Sequence, residues 1–343
     1  MDRELDQELE REVGATPAQG RGGQQSAATQ VTTDLAYLRD RIVNLYFVGE
    51  AGAGDRHWTL VDAGLHGSAD RIVRAAEDRF GPGARPAAIV LTHGHFDHVG
   101  ALETLAERWD VPVYAHELEL PYLTGRASYP PPDPTVGGGA MAFLSRTYPR
   151  GPVDLGSRVR TLPADGAVPG MPGWRWIHTP GHTPGHVSFF RDADRALIAG
   201  DAFVTTKQES AIAVLTQRQE VHGPPAYYTP DWDDARESVR RLAALQPVIA
   251  ATGHGVPMRG ERLRRQLDDL ARDFDRLARP AHGRYVSQPA VSDASGVVSV
   301  PPPVPDHLAR ALAGALVLGA AGLVVRALRR RDDDEDFAGR FGA

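Results

Sequence analysis

The sequence contains no cysteine. That removes a disulfide framework, thiolate zinc and iron–sulfur sites, and any cysteine nucleophile, so a metal can be held only by histidine and carboxylate. Lysine and asparagine are nearly as scarce, one each (Lys207 and Asn44). Almost every basic residue is therefore arginine. Arginine forks suit phosphate, but a skew spread over the whole chain reads as the composition of a GC-rich genome and assigns no function. No Gly-x-Ser-x-Gly is present, which removes the usual serine-hydrolase elbow. Nor does one sign of charge dominate: 38 basic stand against 44 acidic residues, net −6. Part of that acid excess sits in residues 1–12, so a nucleic-acid-binding face is not expected.

The 42% apolar and 24% charged content is that of a globular chain, neither disordered throughout nor a polytopic membrane protein. Its 36 Gly and 27 Pro predict many loops. Residues 1–30 are acidic, then rich in Gly, Gln and Ala, and read as a disordered lead. They show no basic and apolar signal pattern, so the folded part is expected in the cytoplasm. A core domain is expected over 31–285. Strands are predicted at Arg41–Val48, His57–Asp62, Ala87–Leu91 and Val111–Tyr114, with helices at Ser68–Phe80 and Val99–Trp109 between them. Short strands recur near 157–162, 174–178, 186–190 and 195–200. Helices Asp231–Leu245 and Arg259–Ala278 then flank a strand Pro247–Ala251. Such alternation implies an α/β layered fold. Two long stretches, 124–152 and 205–230, read as loops that wall a pocket. Residues 286–306 read as a Pro-rich linker. An apolar helix is expected over 307–328 and a charged tail over 329–343.

The sharpest signal is Thr92-His93-Gly94-His95-Phe96-Asp97-His98, between an apolar strand and a helix. Three His and one Asp in six residues cannot share one helical face, but in a strand-to-helix loop they can converge, and two metal positions are natural. Histidine in a loop is often merely solvated. Here the number and spacing favour ligands. Three further pieces end apolar strands: the Gly/Pro loop His178-Thr-Pro-Gly-His182-Thr-Pro-Gly-His186, Leu197-Ile-Ala-Gly-Asp201, and Val248-Ile-Ala-Ala-Thr-Gly-His254-Gly255. Each alone is a common turn. Together they add what the first loop lacks.

With these residues the chain resembles the metallo-β-lactamase-fold hydrolase superfamily over roughly 35–280. HxHxDH is present as His93-x-His95-x-Asp97-His98, and the later ligands match His182, Asp201 and His254. Val61-Asp62-Ala63-Gly64 matches an early strand-end motif with a site-supporting role. The resemblance implies an αββα four-layer sandwich with a metal site at one edge. It also implies a first metal on His93, His95 and His182, a second on Asp97, His98 and His254, and Asp201 bridging them. The all-N/O donor set fits two divalent ions such as Zn²⁺, with Fe or Mn allowed. Asp97 would be ligand and catalytic group, orienting the water or accepting its proton. The lay-out looks more like glyoxalase II and lactonase relatives than true β-lactamases, so a small-molecule ester, thioester or lactone is the expected substrate. A mononuclear non-haem iron oxidoreductase acting on persulfides, and a membrane-tethered protein with a vestigial site, are the alternatives. His186 reads either as support for the site or as packing. Tyr227, Tyr228 and Trp232 read first as packing of their loop onto the sheet.

Residues 308–328 are apolar except for Arg310 and Arg326. The uninterrupted run Ala311–Val325 spans about 22 Å, short of a ~30 Å bilayer core unless the arginines snorkel. Membrane association is expected here. Ala311, Ala315 and Gly319 form a stripe through which two such helices could self-associate.

Overall fold

The computed structural model describes residues 27–305. Seven strands form the first sheet in sequence order: β1 (Thr29–Thr32), β2 (Leu35–Asp40), β3 (Val43–Val48), β4 (Thr59–Val61), β5 (Ile89–Val90), β6 (Val113–Ala115) and β7 (Val159–Thr161). The second sheet is built from β8 (Trp174–His178), β9 (Val187–Arg191), β10 (Ala196–Gly200), β11 (Ile249–Thr252) and β12 (Met258–Arg259), side by side in the order β12-β11-β10-β9-β8. Strands β1 to β4 pair antiparallel, whereas β4 to β7 and the pair β10–β11 are parallel. Parallel neighbours need crossovers. Those crossovers carry helices α1 (Ala69–Phe80), α2 (Leu102–Trp109) and α3 (Trp232–Ala244), and α4 (Gly260–Arg272) follows β12.

The strand period of two sorts side chains into layers. Along β3, Leu45 and Phe47 face one apolar cluster with Ile72, Ala76 and Phe80 of α1 and Leu102 and Leu105 of α2. Their neighbours Tyr46 and Val48 face the space between the sheets, where they meet Phe189, Ile198 and Ala251. Along β10, Ala196 and Ile198 point into that same central layer, and Leu197 and Ala199 point out onto a third cluster. There they meet Trp232, Val239 and Leu242 of α3 and Leu263, Leu267 and Leu270 of α4. Helix, sheet, sheet, helix is the αββα sandwich.

The differences from the sequence reading have local causes. β1 begins at Thr29, inside the stretch expected to be disordered, because Thr29 and Gln30 pair with Tyr37 and Ala36. The helix expected over Val99–Trp109 begins instead as a turn at Phe96–Val99, and α2 starts only at Leu102. Between them Gly100 lies so close to the backbone of Leu65 and His66 that a Cβ would fall 2.2 Å from the His66 amide nitrogen. The helix expected over Arg259–Ala278 breaks at Asp273 into α4 and a short turn, Phe274–Leu277. The two long loops are not structureless, since they carry the short helices Ala140–Leu144 and Ala211–Thr216. The expected linker holds a hairpin, β13 (Val291–Asp293) with β14 (Gly296–Ser299), tied to the domain by Tyr122 Oη on Ser292 and by the Ala290 amide on Pro230 O.

Among the described residues no helix is long and apolar enough to cross a membrane. Segment 308–328, on which the membrane and self-association expectations rest, lies outside the described residues.

Candidate metal centre

Four strand ends meet at one edge of the sandwich. Asp62 follows β4, the loop Thr92–His98 follows β5, Asp201 follows β10 and His254 follows β11. Asn44 of β3 ties the two sheets together here: its amide donates to Gly253 O at 2.7 Å and its side-chain Nδ2 to Thr252 O at 2.9 Å and Gly255 O at 2.6 Å. The chain's single asparagine thus fixes the loop that carries His254. Gly253 must be glycine, because a Cβ there would lie 2.0 Å from Asp201 Oδ1. On the other side Gly181, at φ +124°, lets the loop before His182 pass against the backbone at Ala235 of α3.

All seven residues singled out from the sequence are buried and brought together. Their donor atoms form three overlapping groups, each with its atoms within 4.8 Å of one another: His93, His95 and His182; His93, His98 and Asp201; and Asp97, His98 and His254. His95 presents Nδ1, 2.9 Å from His182 Nε2. Asp201 Oδ2 lies 3.1 Å from His254 Nε2, 3.4 Å from His182 Nε2 and 3.7 Å from His98 Nε2, a central position.

The far side of each ring is held by the protein. His98 Nδ1 donates to Asp62 Oδ2 at 2.8 Å, and His254 Nδ1 to Ile42 O at 2.6 Å. His93 Nδ1 meets Thr92 Oγ1 at 3.0 Å, and that hydroxyl donates on to Asp62 Oδ2. With Nδ1 carrying the proton, each of these rings turns a bare Nε2 lone pair inward. Two of those nitrogens, on His93 and His98, and Asp201 Oδ1 are buried without any hydrogen-bond partner. Orphaned acceptors that cluster in a satisfied surround cost stability unless something electropositive sits among them. The donors therefore fit metal ions.

Burial first, and then the charges of neighbouring histidines, hold His93 and His95 well below the ordinary imidazole range. Burial likewise lowers His182 to about 3. For His98 burial also favours the neutral ring, but the carboxylates of Asp201 and Asp62 outweigh it and raise the group well above 6.5. Burial would push the Asp201 carboxyl up, yet His254 and His98 keep it ionised far below its usual range. For His254 too, burial is outweighed by Asp201, which raises the group, so without a cation His93, His95 and His182 are neutral while His98 and His254 hold protons against Asp201, and a cation takes the place of those protons.

His186 is not among the clustered donors. Its Nε2 accepts the Asp201 amide at 2.9 Å and its Nδ1 meets Thr179 Oγ1 at 2.8 Å, so it positions the strand end that carries Asp201. Glu119 was missed by the sequence reading altogether. It is fully buried, and its Oε2 accepts the Gly94 amide at 2.9 Å and the Tyr129 hydroxyl. Its Oε1 accepts Thr183 Oγ1 at 2.7 Å and the Gly185 amide at 2.8 Å. One carboxylate so clamps the loop of His93 and His95 to the loop of His182. No spacing pattern marks it, because its partners lie far off in the chain.

A narrow recess opens on these donors and is lined by Asp97, Asp201 and His254 together with Phe96, Tyr148, Tyr227 and Tyr228. Tyr228 stacks on the His95 ring at 4.4 Å and donates its hydroxyl to Pro149 O. Burial and the Asp97 carboxylate keep the Tyr227 phenol protonated well above pH 10. Both tyrosines pack their loop, as expected, and also line the recess. Trp232, the first residue of α3, packs in the outer layer and does not line the recess.

Comparison with known proteins agrees with this geometry. The model of the Metallo-beta-lactamase superfamily matches residues 38–254. The probable metallo-hydrolase YflN of Bacillus subtilis is 51% identical over 234 residues, 68% of this chain and 88% of its own. A hydroxyacylglutathione hydrolase of Xanthomonas euvesicatoria is 30% identical over 149 residues, 43% of each chain. Among solved structures, a beta-lactamase domain protein from Burkholderia ambifaria superposes with a TM-score of 0.51 at 22% identity, over 75% of this chain and 79% of its own. The family match takes in every strand end of the site, and the chain belongs to the metallo-beta-lactamase superfamily.

Proposed function

We propose that the chain hydrolyses a carboxylic ester, thioester or lactone with two divalent cations, zinc foremost. His93, His95 and His182 would hold the first ion and Asp97, His98 and His254 the second, with Asp201 between them. The observation that carries this is the set of orphaned acceptors, His93 Nε2, His98 Nε2 and Asp201 Oδ1, in a site whose other polar atoms are largely paired. They belong to more than one donor group, which supports two ions over one. Such a pair, when bound, lowers the pKa of water towards ~7 and polarises a carbonyl.

The protein's own part follows from the recess. Asp97 sits on its wall beside His254, 3.5 Å from Nε2, and serves as the group that orients the attacking water and accepts its proton. Tyr227, held protonated, faces the same space and donates to the oxygen on which charge develops. The aromatic wall of Phe96, Tyr148 and Tyr228 limits the water around the reacting carbonyl. Relatives named hydroxyacylglutathione hydrolases support carbonyl over phosphoryl chemistry.

The test is a substrate panel on purified protein. Turnover is expected on at least one of ester, thioester and lactone, abolished by a chelator and restored by added metal. Turnover confined to a phosphodiester or a persulfide would overturn the proposal.

A further inference from the structure

The two most exposed large apolar side chains among the described residues stand together. Ile212 and Leu215, 75% and 78% exposed, sit three apart on the helix Ala211–Thr216 and so share one face. Neither enters an apolar cluster. The helix is nonetheless firmly held. Val214 is buried on its other side, Ser210 Oγ accepts the Ala213 amide at 3.3 Å, and Thr206 Oγ1 donates to Ala213 O at 3.2 Å. One residue further back, the Thr205 amide donates to His254 O at 3.0 Å. An outward apolar pair is thus fastened to a strand end of the metal centre, and a pair held outward in this way marks an interaction surface.

The surround is basic. Lys207 precedes the helix and Arg218 follows it, both exposed. Arg146 and Arg150 are exposed on the first long loop, whose own helix Ala140–Leu144 starts against this one, the Met141 amide donating to Glu209 O at 3.1 Å. That helix carries a further exposed apolar side chain, Leu144. Of the acids in the second loop, Glu209 is turned onto the Ala226 amide, and Glu220 lies 3.5 Å from Arg218.

The chain beyond the described residues can reach the same surface. Pro301 O accepts Arg284 Nε at 2.6 Å, and the Arg284 amide donates to Asp133. Six residues on, Gly139 packs against Glu209 and Ser210 at the start of the helix. Six residues span at most about 22 Å. Seven more separate Pro301 from Leu308, where the apolar segment 308–328 begins, and these span at most about 25 Å. A bilayer that takes up that segment therefore lies within reach of Ile212 and Leu215.

We propose that the helix Ala211–Thr216 is a docking surface for a lipid bilayer with anionic headgroups, Ile212 and Leu215 entering its interfacial layer while Lys207 and Arg218 meet its phosphates. Apolar side chains flanked by basic ones are the composition that binds such a surface. Two side chains on one turn hold a domain only weakly, so the helix orients the domain and segment 308–328 keeps it there. Once taken up by the bilayer, that segment is not available to cover the helix. The second long loop, which brings Tyr227 and Tyr228 to the recess, then rests on the bilayer. Docking of this kind does not depend on the hydrolase reading.

The chain lacks cysteine, so one introduced cysteine takes a single polarity-sensitive fluorophore. Full chains labelled at Thr216→Cys, beside the pair, or at Asp78→Cys are mixed with phosphatidylcholine–phosphatidylglycerol vesicles. Asp78 is exposed near the far end of α1, a 12-residue helix that leaves the site edge of the sandwich and runs about 18 Å from it. On vesicles the emission of the label at 216 should shift to the blue and be quenched by nitroxide lipids, and the label at 78 should show neither. Ile212→Ser with Leu215→Ser, both at the surface and so without cost to the fold, should abolish the response at 216. A response at 216 that survives in the double variant, or is no larger than that at 78, overturns the proposal. So does blue-shifted emission at 216 without vesicles: lost on ending the chain at Pro305, it means that the chain's own segment covers the helix, and rising with protein concentration, that a second copy does.

Discussion

Replacing Glu119 by glutamine separates the two metal positions in a way the geometry makes quantitative. Each carboxylate oxygen accepts one backbone amide and one hydroxyl, Gly94 with Tyr129 on Oε2 and Gly185 with Thr183 on Oε1. In Glu119→Gln the side-chain amide must point its NH₂ at one of these pairs. The hydroxyl can turn and accept, but the backbone N–H cannot. Turned towards Gly94, the NH₂ faces an amide that keeps only Tyr129 Oη, at 3.0 Å, as acceptor; turned towards Gly185, it leaves that amide unpaired; and the other bonds lose their charged acceptor. Leaving a buried donor unpaired costs about 1–3 kcal/mol, and weaker hydrogen bonds to a formerly charged group add to it, so a loss of roughly 2–4 kcal/mol in stability is expected. Gly94 stands between His93 and His95 and the loop of Gly185 carries His182, whereas Asp97 and His98 lie on the turn Phe96–Val99, with His98 held separately by Asp62. Changes behind metal ligands cost about 10–100-fold in affinity, and that loss should fall on the position at His93, His95 and His182 while the one at Asp97, His98 and His254 stays within a few-fold. Competition titration of zinc against a chromophoric chelator reads both steps, and urea unfolding of metal-free protein reads the stability. Wild-type affinities in both steps, or an equal fall in both, would refute the clamp.

Asp97→Asn keeps the shape of the side chain but not its charge, and should cut kcat by about 10²–10⁴ while leaving the circular dichroism spectrum unchanged. Near-wild-type turnover would remove Asp97 from the proton transfer. His116 is lowered from 6.5 to about 4, by burial and then by the charge of His178, whose ring is stacked on it at 4.2 Å. The neutral ring is the form the fold prefers, so its contribution is complete above pH 6.5 and is lost as pH falls through about 4. In metal-free protein, wild type should therefore lose more stability than His116→Gln between pH 7 and 4, and parallel curves would contradict this. Finally, the full chain should fractionate with membranes through 308–328, and a chain ending at Pro305, which keeps the hairpin β13–β14 on the domain, should not. Equal solubility of both without detergent would end the membrane proposal.

The parts of the site legible in the sequence were those written into one stretch of chain. His93, His95, Asp97 and His98 fall in a single loop, and Asp201 and His254 each end an apolar run, so local patterning sufficed to find them. The layered α/β class was legible in the alternation of strands and helices and the four-layer sandwich in the family resemblance, whereas the sorting of Leu45, Tyr46, Phe47 and Val48 onto two packed faces is seen only in the fold, because all four are apolar. What was not legible depends on partners far apart in the chain. Glu119 acts on Gly94, 25 residues away, and on Gly185, 66 away, and nothing in its own neighbourhood marks it. Asn44 looked like a compositional oddity until its amide met the loop of His254 across the sheets. The break before α2 comes from Gly100 packing on His66, a contact that helical spacing cannot express. The hairpin at 291–299 was hidden because short strands between prolines read as linker. It holds only by lying against the domain.

The central claim is that the clustered donors hold two ions, and metal content measures it directly. Protein purified without chelator and analysed by plasma mass spectrometry is expected to carry close to two divalent ions per chain, falling to about one in His182→Ala and in His254→Ala. A single iron per chain, unchanged by His254→Ala and accompanied by oxygen uptake on a persulfide, would contradict the account.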